Sequence, residues 1–377
     1  MLADLGKLNP RAYYDTAWAG LEERAVFRGN WIFVGLTDDY AAPGDYATFS
    51  IGGIALLVRR GEHRMHAFQN VCSHRHSVIL RCKRGAGDLR CGYHGWTYDD
   101  EGTPVGLPGN RTNFGLSDDE KSALRLRGYP VESVGRFLFV RISDSGPSVE
   151  DYLGPATCQL LHRISDGCAP AFARGIEHWN ANWKLAVENT LEPYHATFVH
   201  GDSLAQKIDV SQHSADLSTI HTTSTHPLAA ADAAWWTRVR RLTGWSPFWD
   251  VEYYIHAFIF PNLCIAVHRG TLASIQVFYP VSPTHCDLEF RQLVAKGDVG
   301  SGQSHWRNAF EHEMQCFNTR ILSEDRGVVE DCQRGVGQAR GNALLARCEC
   351  RVTEFQKVVS DHVISSRSGD SVGDQPI

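Results

Sequence analysis

The sequence predicts an α+β chain: a small antiparallel β domain, then a larger domain with an antiparallel sheet and covering helices. Three observations support this. Residues 31–145 hold short apolar or alternating runs (WIFVGL, YATFSI, GIALLVRR, MHAFQNV, RFLFVRI) separated by turn signals such as APGD, GAGD and DEGTPVG. Residues 212–295 repeat the strand pattern in VEYYIHAFIF, LCIAVHRG, LASIQVFYPV and CDLEFRQLV. The helical stretches around them lack βαβ rhythm, which speaks against a doubly wound parallel sheet.

In chain order, residues 1–30 are an N-terminal segment expected to pack on the larger domain, and residues 31–145 are the β domain. SDSGPSVEDYLG, 143–154, is a linker running into a short helix. The larger domain covers 155–366. It opens with the helical NWKLAVENTLEPYHATFV (182–199), passes through the strands, and continues in a long helix over 305–335 and a last one over 351–364. Residues 367–377 are a polar, frayed tail.

Composition narrows the function classes. The 377 residues are 43 % apolar and 21 % charged, as in an ordinary globular protein. A net charge of −6, with RVRRL at 238–242 the densest basic stretch, gives no sign of a nucleic-acid partner. IALLV at 54–58 is strand-sized, so no membrane span is expected. The first residues lack a basic stretch followed by an apolar run, and the expected location is the cytoplasm. Eleven cysteines in a chain this long do not form a disulfide scaffold. Most (Cys158, Cys168, Cys264, Cys286, Cys316 and Cys332) read as small buried hydrophobes; Cys348 and Cys350 stand together but lack neighbouring histidines, which speaks against a metal site.

Four residues stand apart. NVCSHRHSVILRCKRGAGDLRCGYHGWTY, 70–98, contains Cys72-x-His74 and, sixteen residues on, Cys91-x-x-His94. Two loops, each with one thiolate and one imidazole, can converge on one metal centre. Zinc accepts such a set, but a zinc finger usually pairs cysteine with cysteine and histidine with histidine. Mixed pairs suit a [2Fe–2S] cluster of the Rieske kind, with two cysteines on one iron and two histidines on the other. Glycines in CGYHGW let backbone amides approach the sulfurs. Cys82 and His76 lie off the pattern.

C-x-H…C-x-x-H in a small β domain, followed about a hundred residues later by E-x-x-H-x₄-H (Glu192, His195, His200), resembles the oxygenase α subunits of Rieske non-haem iron enzymes. The resemblance runs from about Trp31 to the C-terminal helix. It departs in CSHRHS and CGYH, which stand where the family often has CPHRG and CPYH. It implies a helix-grip, START-like catalytic domain and a mononuclear Fe(II) held by two histidines and one carboxylate on one face. His195 and His200 are the imidazoles. Residues five apart on a regular helix diverge by about 140°, so the helix must bend or end between them, and Pro193 makes that plausible.

The resemblance also takes the carboxylate from the long C-terminal helix, where SEDRGVVEDCQRG (323–335) places Asp325 in the ligand position. Asp325, Val329, Cys332 and Val336 share a helical face, and Glu330 and Asp331 are the rivals. Glu188, Glu192 and His195 fall at i, i+4 and i+7 and so share another. By the resemblance Glu192 is an electron bridge, joining His195 to His94 of the partner subunit. That implies a head-to-tail homotrimer with inter-subunit electron transfer. Asn189 is a further catalytic candidate. Glu where most members have Asp resembles carnitine and betaine monooxygenases.

The substrate side is less defined. WWTRVRRLTGWSPFW, 235–249, is either a packed segment or a pocket cover, with Trp235, Trp236 and Trp249 as candidate contacts. Phe258, Phe260 and Asn262 are candidates for the cavity floor. The function expected is a terminal oxygenase that oxidises a small organic substrate by hydroxylation or oxidative demethylation. It would use O2 and NAD(P)H electrons delivered by a separate reductase, with or without a ferredoxin. A cis-dihydroxylating dioxygenase is the runner-up, and a Rieske electron carrier without catalytic iron is the reading of another class.

Overall fold

The structure is a computed structural model and describes residues 3–204, 214–228, 230–297 and 303–369. The chain divides into two compact units, Val26–Tyr152 and a larger one made of Met1–Ala25 with Leu153–Ile377. The larger unit starts with β1 (Ala3–Leu5) and α1 (Thr16–Glu22).

The smaller unit contains β2 (Ile32–Leu36), β3 (Asp45–Ile51), β4 (Ile54–Arg60), β5 (Met65–Gln69), β6 (Arg84–Ala86), β7 (Leu89–Arg90), β8 (Thr97–Tyr98), β9 (Pro104–Gly106), α2 (Asp118–Ala123), β10 (Gly128–Tyr129), β11 (Val131–Val134) and β12 (Phe137–Val140). Its strands pair antiparallel in the orders β10-β5-β4-β3-β6, β11-β12-β2 and β7-β8-β9. The β3–β4 hairpin pairs Ile51 with Ile54 and turns on Gly52 and Gly53, whose φ of 58° and 72° suit a tight two-residue loop. A core of Leu57, Phe68, Ile79, Leu89, Trp96 and Tyr98 takes in both Cys72 and Cys91.

α3 (Val149–Gly167), broken at Gly154, begins in the last residues of the smaller unit, and from Leu153 the larger unit continues through it to β13 (Ala173–Trp179). Then come α4 (Trp183–Leu191), α5 (Ala196–Val199), β14 (Ser214–Asp216), β15 (Thr222–Pro227), α6 (Ala230–Thr243), β16 (Tyr253–Ile259), β17 (Leu263–His268), β18 (Leu272–Ser282), β19 (His285–Val294), α7 (Ser304–Val336), β20 (Leu344–Ala346) and α8 (Cys350–Gly369). Seven strands form one antiparallel sheet in the order β13-β19-β18-β17-β16-β15-β14. α4 lies on β18 and packs against α7 and α8. α8 runs beyond the expected end at 364 and keeps 367–369 helical; the rest of the expected frayed tail lies outside the described residues.

The expected single helix over 182–199 is two. α4 ends at Glu192, whose φ of −128° and ψ of 147° are extended. The residue before a proline is pushed out of helical geometry, and Pro193 does this here. Glu188 therefore does not share a face with Glu192. Its Oε1 accepts from the Tyr13 hydroxyl at 2.7 Å and from Gln356 at 3.1 Å. On α7 the buried stripe is Phe310, Met314, Asn318, Leu322, Asp325 and Val329; Cys332 is exposed, so the expected face does not extend to it.

The N-terminal residues are tied into the larger unit. β1 pairs with β20, Ala3 opposite Ala346 and Leu5 opposite Leu344. Glu22 lies 2.7 Å from the fully buried Lys184 ammonium and accepts from the indole of Trp183 at 3.1 Å. A buried ion pair of this kind is tolerated because the carboxylate's remaining acceptor capacity is used.

Candidate metal centres and substrate cavity

In the smaller unit the two cysteine–histidine loops have the same backbone design. Cys72 N–H donates to Ser77 O and its carbonyl accepts from His76; Cys91 N–H donates to Trp96 O and its carbonyl accepts from Gly95. The fourth residue after each cysteine is left-handed, His76 at φ 56° and Gly95 at φ 73°. Both cysteines are 2 % exposed, and the His74 and His94 rings lie 4.6 Å apart. His74 stacks on Trp96 at 5.0 Å, and its buried Nδ1 has no hydrogen-bond partner. A buried ring nitrogen without a partner, beside two buried thiols and a second imidazole, fits a cluster ligand set. The Tyr98 hydroxyl lies 3.1 Å from Cys72 Sγ; burial and that thiol push its pKa well above the ordinary value, so it stays a donor.

In the larger unit His195, His200 and Asp325 each bring a ligand atom within 4.8 Å of the others. The break at Pro193 sets this up: His195 caps α5 and His200 follows its end, so both rings reach one point. Asp325 Oδ1 is 3.0 Å from His200 Nε2 and 3.6 Å from His195 Nε2. The opposite ring nitrogens rest on glutamates. Glu192 Oε1 is 2.6 Å from His195 Nδ1, and Glu324 Oε2 is 2.7 Å from His200 Nδ1. Each Nδ1–H donating to a carboxylate leaves Nε2 as the basic nitrogen, turned to the shared point. Asn189 Nδ2 donates to Asp325 Oδ1 at 2.8 Å.

The electrostatics favour a cation there. Burial lowers the pKa of His200, but Asp325 and Glu324 raise it further, and the net shift is upward. A metal dication answers the same preference without a proton. Two imidazoles and one carboxylate on one side are the donor set of a facial-triad iron centre. Glu330 bonds to the backbone and side chain of Asn180, while Asp331 pairs with Arg334, so neither rival approaches the site.

The three residues line a cavity together with Glu192, His226, His256, Cys264, Cys348, Cys350 and Arg351. It adjoins a second space that reaches Trp235, Trp236, Met314 and Phe317; Tyr254, Ser274 and Gln276 line both. The other aromatic candidates are elsewhere. Trp249 lies beneath the Arg163 guanidinium, Phe258 packs against Phe355, and Phe260 against His362. Asn262 is fully buried and donates to Phe278 O. Phe258, Phe260 and Asn262 belong to the core, the two phenylalanines because they pack against α8, whereas Trp249 is half-buried ahead of β16. Sequence reasoning missed Glu324 and the inward polar residues of the strands. The alternation in YYIHAF and SIQVF (Tyr254, His256; Ser274, Gln276) was the available signal.

Residues 169–365 match the family model for the ring hydroxylating alpha subunit (catalytic domain), and residues 30–130 match that of the Rieske [2Fe-2S] domain. The glycine betaine monooxygenase oxygenase subunit of Chromohalobacter salexigens is 35 % identical over 203 residues, covering 53 % of this chain and 44 % of that protein. The terephthalate 1,2-dioxygenase terminal oxygenase component subunit alpha 2 of Comamonas sp is 31 % identical over 198 residues, 50 % of this chain and 47 % of that one. The chain thus spans just under half the length of these relatives. Among solved structures, the quaternary ammonium Rieske monooxygenase CntA superposes with a TM-score of 0.78 at 20 % identity, covering 96 % of each chain. Naphthalene 1,2-dioxygenase from Rhodococcus sp. gives 0.76 at 20 % identity, covering 95 % of each. These two share the fold of this chain. With its catalytic domain matched over more than half its length, and a Rieske domain ahead of it, the chain belongs to the ring-hydroxylating alpha-subunit family.

Proposed function

We propose that the protein is the terminal oxygenase component of a Rieske-type system, oxidising a small organic molecule by hydroxylation or oxidative demethylation. The observation that carries this is the His195–His200–Asp325 constellation on the wall of a mixed polar and apolar cavity. Iron held there supplies dioxygen activation, and a [2Fe–2S] cluster on Cys72, His74, Cys91 and His94 supplies single electrons. The rest is done by side chains of this chain. Glu192 and Glu324 fix the orientation and tautomer of the two imidazoles. Asn189 holds Asp325 in place.

Glu192 is also the proposed bridge to His94 of the partner subunit in a head-to-tail trimer. The surface beside it supports this: Tyr194 and Phe198 are 58 % and 78 % exposed, an unusual display of aromatic surface next to a half-buried carboxylate. His94 is likewise exposed. One solved relative is described in terms of inter-subunit electron transfer. NAD(P)H electrons would come through a reductase, with or without a ferredoxin. Among the described residues no helix is long and apolar enough to cross a membrane, and eleven free cysteines suit a reducing cytoplasm.

Metal and acid-labile sulfide analysis tests the assignment. The expected result is sulfide with two cluster irons plus one mononuclear iron per chain. Asp325→Asn should lose the mononuclear iron while keeping the cluster absorption. Two irons per chain in the unaltered protein would instead make it an electron carrier.

A further inference from the structure

One cation on the cavity wall has no anion of its own. Arg351, near the start of α8, is 2 % exposed and lines the same cavity as His195, His200 and Asp325. Its Nε donates to Thr222 Oγ1 at 3.0 Å, and Nη1 donates to Ser224 Oγ and His256 Nδ1, each at 3.0 Å. Nη2 donates to the Thr222 carbonyl at 3.2 Å. Every acceptor is neutral, and no described carboxylate pairs with the guanidinium. Burial lowers its pKa to about 10, so it remains charged at neutral pH.

A buried guanidinium is usually matched by a carboxylate or phosphate, because desolvating a lone charge costs several kcal/mol. The neutral contacts here hold the group without neutralising it. A guanidinium has five N–H donors, and the four bonds above leave one Nη2–H over. The contact with His256 adds a second donor. Arginine cannot accept, so His256 Nδ1 is the acceptor, and a neutral His256 carries its proton on Nε2. Burial, Arg351 and His226 keep His256 neutral by driving its pKa well below the ordinary value. Beyond Tyr254 the cavity continues into the apolar space bounded by Trp235 and Trp236.

We infer that Arg351, assisted by His256, is the anchor for a carboxylate on the substrate, so that the enzyme selects small carboxylic acids with an apolar body. This rests on the reading of the cavity as the oxidation site. Substrate binding would supply the missing counter-charge through charge-assisted hydrogen bonds.

Calorimetric titration of the metal-loaded protein tests this without relying on turnover. The probes are 3-phenylpropanoate against 3-phenylpropanamide, and glycine betaine against choline. The carboxylate of at least one pair should bind about ten- to hundredfold more tightly than its partner without a carboxylate. Arg351→Gln should abolish that preference, and Arg351→Lys should restore part of it. Equal affinity within both pairs in the unaltered protein, or no binding of either acid, overturns the inference and needs no variant that folds. A preference that survives Arg351→Gln overturns it too. The two readings fail separately. A protein lacking mononuclear iron that still prefers acids loses only the oxidation reading, and an iron-loaded protein indifferent to carboxylates loses only this one.

Discussion

Two side chains beside the cluster loops have effects that can be measured singly. The Tyr98 hydroxyl donates to Cys72 Sγ, a sulfur whose negative charge grows on reduction. Removing one charge-assisted hydrogen bond of about 1.5 kcal/mol should lower a one-electron midpoint potential by about 60 mV. Tyr98→Phe tests this by redox titration of the cluster signal; an unchanged potential would mean the hydroxyl does not tune it. His76 occupies, at φ 56°, the position that Gly95 fills in the sister loop. A non-glycine residue there costs about 1–2 kcal/mol. His76→Gly should raise the denaturant midpoint for loss of cluster absorbance by an amount equivalent to about 1 kcal/mol. At this scale legibility follows distance along the chain. Cys72/His74, Cys91/His94 and His195/His200 stand in short motifs, and the first two become matched turns through local hydrogen bonds alone. Glu324 and Arg351 were silent because their partners are 124 and 95 residues away (His200 and His256). Each also resembles many surface Glu and Arg residues in sequence.

Pro193 decides how the α4–α5 element works. It ends α4, so that Glu188, inside the helix, faces Tyr13 and Gln356 while Glu192, beyond it, turns to His195. Burial pushes the Glu188 pKa up to about 7, although the hydrogen bonds from Tyr13 and Gln356 pull it down. A carboxyl whose folded pKa lies above its unfolded value near 4.5 binds more protons when folded. That stabilisation is complete below the unfolded value and is lost as pH rises through about 7. Glu188→Gln should therefore flatten the fall in Tm across that window, since the amide oxygen still accepts from Tyr13; a parallel fall in the variant would assign it to other groups. The broken helix was half readable. The proline and the need to converge two histidines both demanded a break, yet the seven-residue spacing of Glu188 and His195 suggested a shared face that the break abolishes. On the sheet, strand positions were legible from alternation, but which inward residues meet the cavity and which pass under α8 depends on where that helix lies.

For the whole molecule, the proposed path of electrons makes the neighbouring subunit part of the machinery. Phe198→Asp places a charge on the exposed aromatic pair beside Glu192. It should shift the sedimenting species towards monomer and slow reoxidation of the cluster in the presence of substrate, with cluster and iron content unchanged. An unaltered trimer with an unaltered rate would remove this face from the interface. Glu192→Gln should keep the oligomer and slow the same reoxidation, which separates docking from conduction.

The pairing of β1 with β20 has a consequence for biosynthesis. The larger unit is assembled from residues 1–25 and 153–377, while the smaller one is continuous. As the chain leaves the ribosome, the smaller unit has all its strands and both loops long before Leu344–Ala346 arrive to pair with Ala3–Leu5. Domains emerging first fold first. Cluster insertion is thus open to the nascent protein early, whereas the oxidation site closes only with the last helix. On the proposed function, the nascent chain can hold its electron acceptor before its oxidation site is complete.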